Sequence, residues 1–209
     1  CIRDRGNTID TVSKGNGIRV CSGKASLAAN TIKKTKTEGI YIAKGTVTIS
    51  NDNKVSEAGS KQSIAIKGGT IFMTSGNAKM QLKSRNLIVC GATSSSATKV
   101  TIPENVKIGN VTYKVTQIES KAFKGNKKLK TLTIGSNVKK IGSSAFEGCA
   151  SLETVTVNTS GLTEKNVGDA AFKGVKAKCT FKVPKDKTTT YKSLFRKKGA
   201  AEGIKVVNK

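Results

Sequence analysis

The sequence has few of the side chains on which many binding sites depend. Its 209 residues include no histidine, no tryptophan and only 4% aromatic residues, and Asp plus Glu number 13. So few aromatic side chains remove the stacking route to single-stranded nucleic acid and leave sugars without an aromatic platform. There is also no nucleic-acid-binding motif, so we expect no specific nucleic-acid partner.

Long apolar runs are also absent. No stretch is apolar enough to cross a bilayer, so no transmembrane segment is predicted. The chain opens with Cys1-Ile2-Arg3, which is not a cleavable signal. Cys1 as a lipidated N-terminus after signal removal is one interpretation. We prefer a fragment of a longer polypeptide, because sequence repeats begin at once.

The cysteines form no recognisable set. There are five, an odd number, and they are widely spaced without a C-x-x-C pair: Cys1, Cys21, Cys90, Cys149 and Cys179. This pattern fits neither a disulfide framework nor a zinc site, and we predict no metal and no other cofactor. The last two occupy positions where an inward apolar residue belongs, so they are predicted to be small buried hydrophobes.

Positive charge, in contrast, is abundant. Lys plus Arg number 38, and the net charge is +25. Such an excess attracts polyanions, whether nucleic acid, anionic lipid, teichoic acid or sulfated glycan. The same lysines can instead form a solvated surface that keeps a repetitive β protein from aggregating.

A short sequence motif repeats in the C-terminal half. It reads Ala-Phe-x-Gly, ends at Gly125, Gly148 and Gly174, and recurs at intervals of 23 and 26 residues. Repeats of this period indicate a solenoid, in which each unit buries its apolar face against its neighbours. We therefore expect the three phenylalanines, Phe123, Phe146 and Phe172, to stack along one seam.

A different repeat occupies the N-terminal part. Asn7, Asn30, Asn53 and Asn77 recur every 23 or 24 residues, and segments of period-2 alternation lie between them. Three short strands per coil are predicted, with alternate residues inward. This pattern resembles the right-handed parallel β-helix family, of the NosD and pectate-lyase-like type, over residues 1–80. That resemblance implies coils that form part of a longer helix.

The β-helix resemblance requires a search for an active site, because the family contains carbohydrate-active enzymes. Their sites need clustered carboxylates on the outer face of one sheet. The acidic residues of the N-terminal part lie on different predicted turns instead: Asp4, Asp10, Glu38, Asp52 and Glu57. We expect no enzymatic activity in this chain and no catalytic residues. An accessory region of a secreted carbohydrate-active enzyme stays the alternative.

The C-terminal half resembles the BspA-like, Treponema-type leucine-rich repeats. The motif runs from Leu129 through Leu132, Ile134 and Gly135 to the Ala-Phe-x-Gly-Cys segment that ends at Cys149. Family members usually have proline where Gly135 stands. The resemblance implies a bacterial cell-surface or secreted protein engaged in adhesion to host or neighbouring cells.

These observations predict an all-β solenoid: parallel β-helix coils, then a leucine-rich repeat domain with a short helical C-terminal cap. The expected parts are coils at 1–80, a junction at 81–98, repeats at 99–183 and a cap at 184–209. Within the cap, a helix over 187–197 and a strand over 203–207 are predicted, with Tyr191, Leu194 and Phe195 closing the core.

Solenoids bind partners through variable side chains on their sheets, which selects the candidate binding residues. We expect a monomer that binds a surface protein or glycan of a host or neighbouring cell, or an anionic wall polymer. A threonine-rich face is also simply good strand chemistry, and that interpretation stays open. The candidates are Lys130, Thr131, Thr133, Lys139, Lys140, Thr154 and Thr156 on the repeats, and Arg19 and Tyr41 on the coils.

Overall fold

The structure, a computed structural model, describes residues 2–5, 8–9, 18–20, 24–28, 31–32, 40–42, 46–50, 54–55, 64–66, 70–108 and 111–209. The fold is an all-β solenoid with one short helix near its C-terminus, as predicted. Two compact units are present, one of Cys1–Thr74 with Val106–Tyr113 and one of Ser75–Asn105 with Lys114–Lys209.

The N-terminal strands are short. They are β1 (Ile2–Arg5), β2 (Thr8–Ile9), β3 (Ile18–Val20), β4 (Lys24–Ala28), β5 (Thr31–Ile32), β6 (Ile40–Ile42), β7 (Thr46–Ser50), β8 (Lys54–Val55), β9 (Ile64–Ile66) and β10 (Thr70–Ser75).

The remaining strands are β11 (Ala78–Lys83), β12 (Asn86–Ala92), β13 (Lys99–Ile102), β14 (Asn105–Ile108), β15 (Val111–Ile118), β16 (Thr131–Ile134), β17 (Lys140–Ile141), β18 (Thr154–Val157), β19 (Thr180–Val183) and β20 (Lys205–Asn208). A 3-10 turn (Lys185–Lys187) leads into the α-helix α1 (Thr188–Lys197).

The first unit contains three stacks of parallel strands. β1, β4, β7 and β10 pair in that order, as do β2, β5 and β8, and β3, β6 and β9. Ile40 pairs with Ile18 on one side and Ile64 on the other, and Leu27 pairs with Ile49. Three strands per coil were expected from the alternation, and the pairing shows them.

Alternation also decides which side chains are buried in these strands. Ala25, Leu27, Val47 and Ile49 are buried, while the residues between them are partly exposed. Ile40 and Ile42 are buried as predicted, whereas Ile18 keeps partial exposure. Asn7, Asn30 and Asn53, the first three members of the predicted asparagine ladder, lie outside the described residues.

An antiparallel hairpin opens the second unit. β11 and β12 pair around Ser84 and Arg85, both of which have positive φ, at 46° and 67°. Two consecutive residues of this kind form a tight turn whose twist matches that of the strands. The predicted strand pair is confirmed. A second predicted turn, at Gly109 and Asn110, lies outside the described residues.

Two parallel sheets form the walls of the repeats. β13, β16, β18, β19 and β20 make one, and the parallel strands β12, β15 and β17, which belong to a larger sheet, form the other. Leu132, Val155 and Phe181 align in the first sheet, and all three are fully buried. The second sheet contributes Ile118 and Ile141, which are paired and also fully buried.

The Ala-Phe-x-Gly segments stack in register between the two walls. The Phe146 ring lies between those of Phe123 and Phe172, with centroids 5.3 and 5.6 Å apart and nearly parallel planes. Backbone amides join the same segments: Phe123 N donates to Ala145 O at 2.8 Å. The predicted phenylalanine seam is confirmed.

Each of these turns uses left-handed backbone at two positions. The glycine after the phenylalanine has φ of 74°, 74° and 71° at Gly125, Gly148 and Gly174. Two residues before the phenylalanine, Lys121, Ser144 and Ala170 have φ of 62°, 56° and 54°. Since a non-glycine residue in this region costs about 1 kcal/mol, the stacking must offset that strain in every repeat.

A second set of glycines permits close approach of neighbouring coils. A Cβ atom at Gly142 would lie 2.3 Å from Ser120 N, and one at Gly168 would lie 2.3 Å from Ser143 N. At Gly135, where the family usually has proline, it would lie 2.6 Å from Glu104 N. These are backbone contacts that a side-chain rotation cannot relieve.

Gly142→Ala and Gly125→Ala form a matched pair that separates close approach from backbone strain. A Cβ at Gly125 meets nothing within 4 Å, so this variant should lose only about 1 kcal/mol through its positive φ. Gly142→Ala forces two coils apart and should cost about 3 kcal/mol or more. Urea unfolding of both variants measures the difference; equal losses would contradict the close packing of the coils.

The C-terminal helix closes the core of the second unit. Tyr191, Leu194 and Phe195 are buried, and the Phe195 ring contacts Phe172 and Phe181 at 5.0 and 4.7 Å. The helix begins one residue after the predicted position. The last strand begins at Lys205 and not at 203, because Ile204 N still bonds to Ala201 O in the preceding turn.

The same helix fixes the loop that interrupts the last repeat. Tyr191 Oη donates to Thr159 O at 2.9 Å and accepts from Leu162 N at 3.0 Å. Within this loop, Asn166 Oδ1 accepts a hydrogen bond from Thr163 N, and Asn166 Nδ2 donates one to Gly161 O. The insertion therefore folds back onto the cap, and Leu162 is buried with it.

Candidate binding surfaces

The five-stranded sheet presents two rows of short side chains on its outer face. The first contains Thr131, Thr154 and Thr180 between two terminal lysines, Lys99 and Lys205. The second contains Thr101, Thr133, Thr156, Lys182 and Val207 in register. We call this surface the threonine face.

The threonine face combines short hydroxyl side chains with three lysines. Its threonines are partly exposed, its lysines are exposed, and Val207, with 40% of its surface accessible, is the one exposed large hydrophobic side chain among the described residues. Inward partners such as Leu132 and Val155 hold the strands rigid. The face is thus a continuous surface of hydroxyl, methyl and ammonium groups.

The second sheet has a different outer surface. A groove of about 540 Å³ is lined by Asn86, Lys114, Thr116, Gln117, Asn137, Lys139 and Lys140. Asn86 pairs with Lys114, and Gln117 pairs with Lys140. Lys139 N donates to Thr116 O at 2.8 Å. We call it the lysine groove.

The predicted binding residues thus divide between separate surfaces. Thr131, Thr133, Thr154 and Thr156 come together on the threonine face, and exposed Lys130 immediately precedes its strand β16. The two other lysines, Lys139 and Lys140, lie in the lysine groove. Arg19 and Tyr41 are paired on β3 and β6 of the first unit, and their side chains lie outside the description.

The groove residues Lys114, Asn86 and Gln117 were missed by the sequence reasoning. The repeat pattern assigned second strands only to the Ala-Phe-x-Gly repeats. It did not show that β12 pairs with β15, with a register shift between Leu87 and Ile88. The alternation in Val111–Ile118 was visible, but its pairing with β12 was not.

Exposed carboxylates of the second unit are mostly paired with lysines. Hydrogen bonds from Ser144 and Lys124 lower the pKa of Glu147. A hydrogen bond from Lys176 lowers the pKa of Glu153, and one from Lys197 lowers that of Glu164. These pairs join neighbouring coils across the surface. Where the structure describes the chain, no three His, Cys, Asp or Glu side chains converge on a metal site.

Two cysteines are buried as predicted. Cys149 and Cys179 are inaccessible to solvent, and Cys149 Sγ donates to Phe123 O at 3.2 Å. Burial raises the pKa of Cys149 to about 11 and that of Cys179 to about 12. Cys90 is half-buried, and burial raises its pKa as well. These thiols act as packing groups and not as nucleophiles.

Brief treatment with iodoacetamide at pH 8 should leave Cys149 and Cys179 unmodified in the folded protein. With a pKa of about 11, roughly one Cys149 thiol in a thousand is ionised at that pH, and its sulfur is inaccessible. Peptide mass spectrometry checks this, with alkylation in concentrated guanidinium as the control. Labelling of Cys149 at the unfolded rate would contradict its burial.

Comparison with known proteins identifies the class to which these repeats belong. The sequence profile of the BspA type leucine rich repeat region matches residues 92–208, in six copies. The match covers more than half of the chain, so the protein belongs to this family of leucine-rich repeat proteins. It does not reach the N-terminal coils, for which membership of the β-helix family stays a prediction.

No curated protein and no solved structure matches the chain. The family places the repeats among domains that mediate protein interactions and that are in general not catalytic. None of the described helices has the length and apolar character to cross a membrane.

Proposed function

We propose that this chain is a non-enzymatic, adhesive part of a bacterial cell-surface or secreted protein. In this proposal the repeats at 99–183 bind a protein on a host or neighbouring cell. The coils at 1–80 act as a stalk, with 81–98 as the junction and 184–209 as the cap. The observation that carries it is the threonine face, in which six threonines are aligned in register on neighbouring parallel strands.

The chemistry of the threonine face favours a protein partner over a sugar. The threonines of the face contribute hydroxyl and methyl groups, and its lysines contribute the charges. Val207 adds apolar surface at one end. Short β-branched side chains lose little rotamer entropy when a partner covers them. No aromatic ring stands on the two rows to stack on a sugar. The lysines would contribute mainly to the rate of association.

An accessory role in a carbohydrate-active enzyme stays an alternative from the sequence, but no specific observation favours it. The acidic residues on which it would depend, such as Asp10 and Glu57, lie outside the described residues. We therefore base the proposed function on the repeats alone.

Substituting the centre of the threonine face tests the adhesion proposal. In a Thr133→Arg, Thr156→Glu variant, two long side chains of opposite charge lie in register and net charge is unchanged. Beads coated with the full chain should bind cultured epithelial cells or intact bacteria, and binding should fall to that of uncoated beads with this variant. Trypsin treatment of the cells should also abolish it, because the partner is a protein.

Thr189→Arg, Thr190→Glu is the matched control. Both residues are exposed on α1 and belong to neither row of the face, and the charge change is again zero. This variant should bind as the parent does. Adhesion that survives the Thr133 and Thr156 changes, or that resists trypsin, would rule out the threonine face as a protein-binding surface.

A further inference from the structure

The lysine groove brings together cations that have no acidic partners. In the described part of the chain, Lys114, Lys139 and Lys140 take part in no ion pair, although seven other basic residues do. All three are exposed, and all three line the groove. What distinguishes these three from the other unpaired lysines is that they line one groove together.

Nearby acids do not compensate for these lysines. Glu119 pairs with Lys83 at 3.1 Å, and Glu104, whose carboxylate accepts a hydrogen bond from the Ser136 hydroxyl, is not part of the groove lining. No carboxylate lines the groove itself. Like charges held close together repel, and that repulsion is relieved when an anion binds between them.

The strand register gives the spacing of the cations. Lys140 pairs with Gln117, which lies three residues along β15 from Lys114. Because β15 bulges by one residue between Lys114 and Gln117, strand geometry puts the Cα atoms of the two lysines about 8 Å apart. With Lys139 in the same lining, three cations at this spacing favour a ligand that carries more than one anionic group.

The uncharged residues of the lining indicate the chemical class of the ligand. Asn86, Thr116, Gln117 and Asn137 supply amide and hydroxyl groups suited to hydrogen bonds with sugar or polyol hydroxyls. No aromatic side chain lines the groove, so bases have nothing to stack on. Nor does an apolar side chain, which an acidic peptide would need as an anchor.

We propose that the lysine groove binds a segment of an anionic glycan, whose sulfate or phosphate esters contact Lys114, Lys139 and Lys140. The volume of about 540 Å³ suits one or two sugar or polyol units at a time. The site lies on a different sheet from the threonine face, so a wall or matrix polymer and a protein partner can bind independently.

A charge-matched pair of triple variants tests the groove. The first carries Lys114→Gln, Lys139→Gln and Lys140→Gln. The control carries Lys127→Gln, Lys128→Gln and Lys178→Gln, three exposed lysines outside the groove and without ion pairs among the described residues. Both variants lose three positive charges from the same net charge of +25. A loss of affinity caused by net charge alone is therefore equal in the two.

The measurement is binding of the full chain to a fluorescent heparin octasaccharide and to a glycerol-phosphate oligomer of matched charge. The groove variant should lose about tenfold in affinity for its preferred ligand, and the control less than about twofold. The slope of log affinity against log salt should fall by about two in the groove variant, as charge contacts are removed.

Preference for the sulfated or for the phosphorylated oligomer distinguishes the two sources of the ester, and either supports the groove. Equal losses in the two triple variants, or no loss in either, would overturn it. So would oligothymidine or polyglutamate binding as tightly as the glycans with the same loss. The Lys139→Gln, Lys140→Gln double variant should give an intermediate loss, and its trypsin-sensitive cell adhesion should equal that of the parent.

Discussion

Backbone hydrogen bonding between successive Ala-Phe-x-Gly turns is the interaction on which the second unit depends. Phe146 N donates to Ala171 O and Gly148 N to Lys173 O, both at 2.8 Å, so the turns form a parallel ladder of their own. Buried rings stack directly behind it. The repeats are therefore bonded along three lines, two sheets and a column of turns, and no unit is stable without its neighbours.

This ladder requires backbone conformations that the sequence only partly reveals. A glycine such as Gly148 indicates a left-handed backbone conformation in the sequence. Ser144 and Ala170 have the same conformation, but their residue types do not indicate it. Period and hydrophobicity were enough to predict the solenoid, the phenylalanine seam and the buried cysteines, because those depend on inward residues repeated at fixed intervals. The cap was predicted within two residues for the same reason.

The binding surfaces were harder to predict, since outward residues are not constrained by packing. The threonines of β16 and β18 could be aligned because their strands recur in the repeat. Lys114 could not be placed in the groove beside Asn86, because β12 and β15 pair with a register shift that follows from no repeat. Thus the sequence predicts a binding surface only where the strands that form it belong to a sequence repeat. A groove made from irregular strands requires coordinates.

Native-state hydrogen exchange of the turn amides tests the central claim most directly. If the ladder is integral to the core, the amides of Phe123, Phe146 and Gly148 should exchange only through global unfolding. Their free energies of exchange should then match the free energy of unfolding from urea titration to within about 1 kcal/mol. Fast exchange of these amides through local opening, while those of β16 and β18 stay protected, would contradict the account.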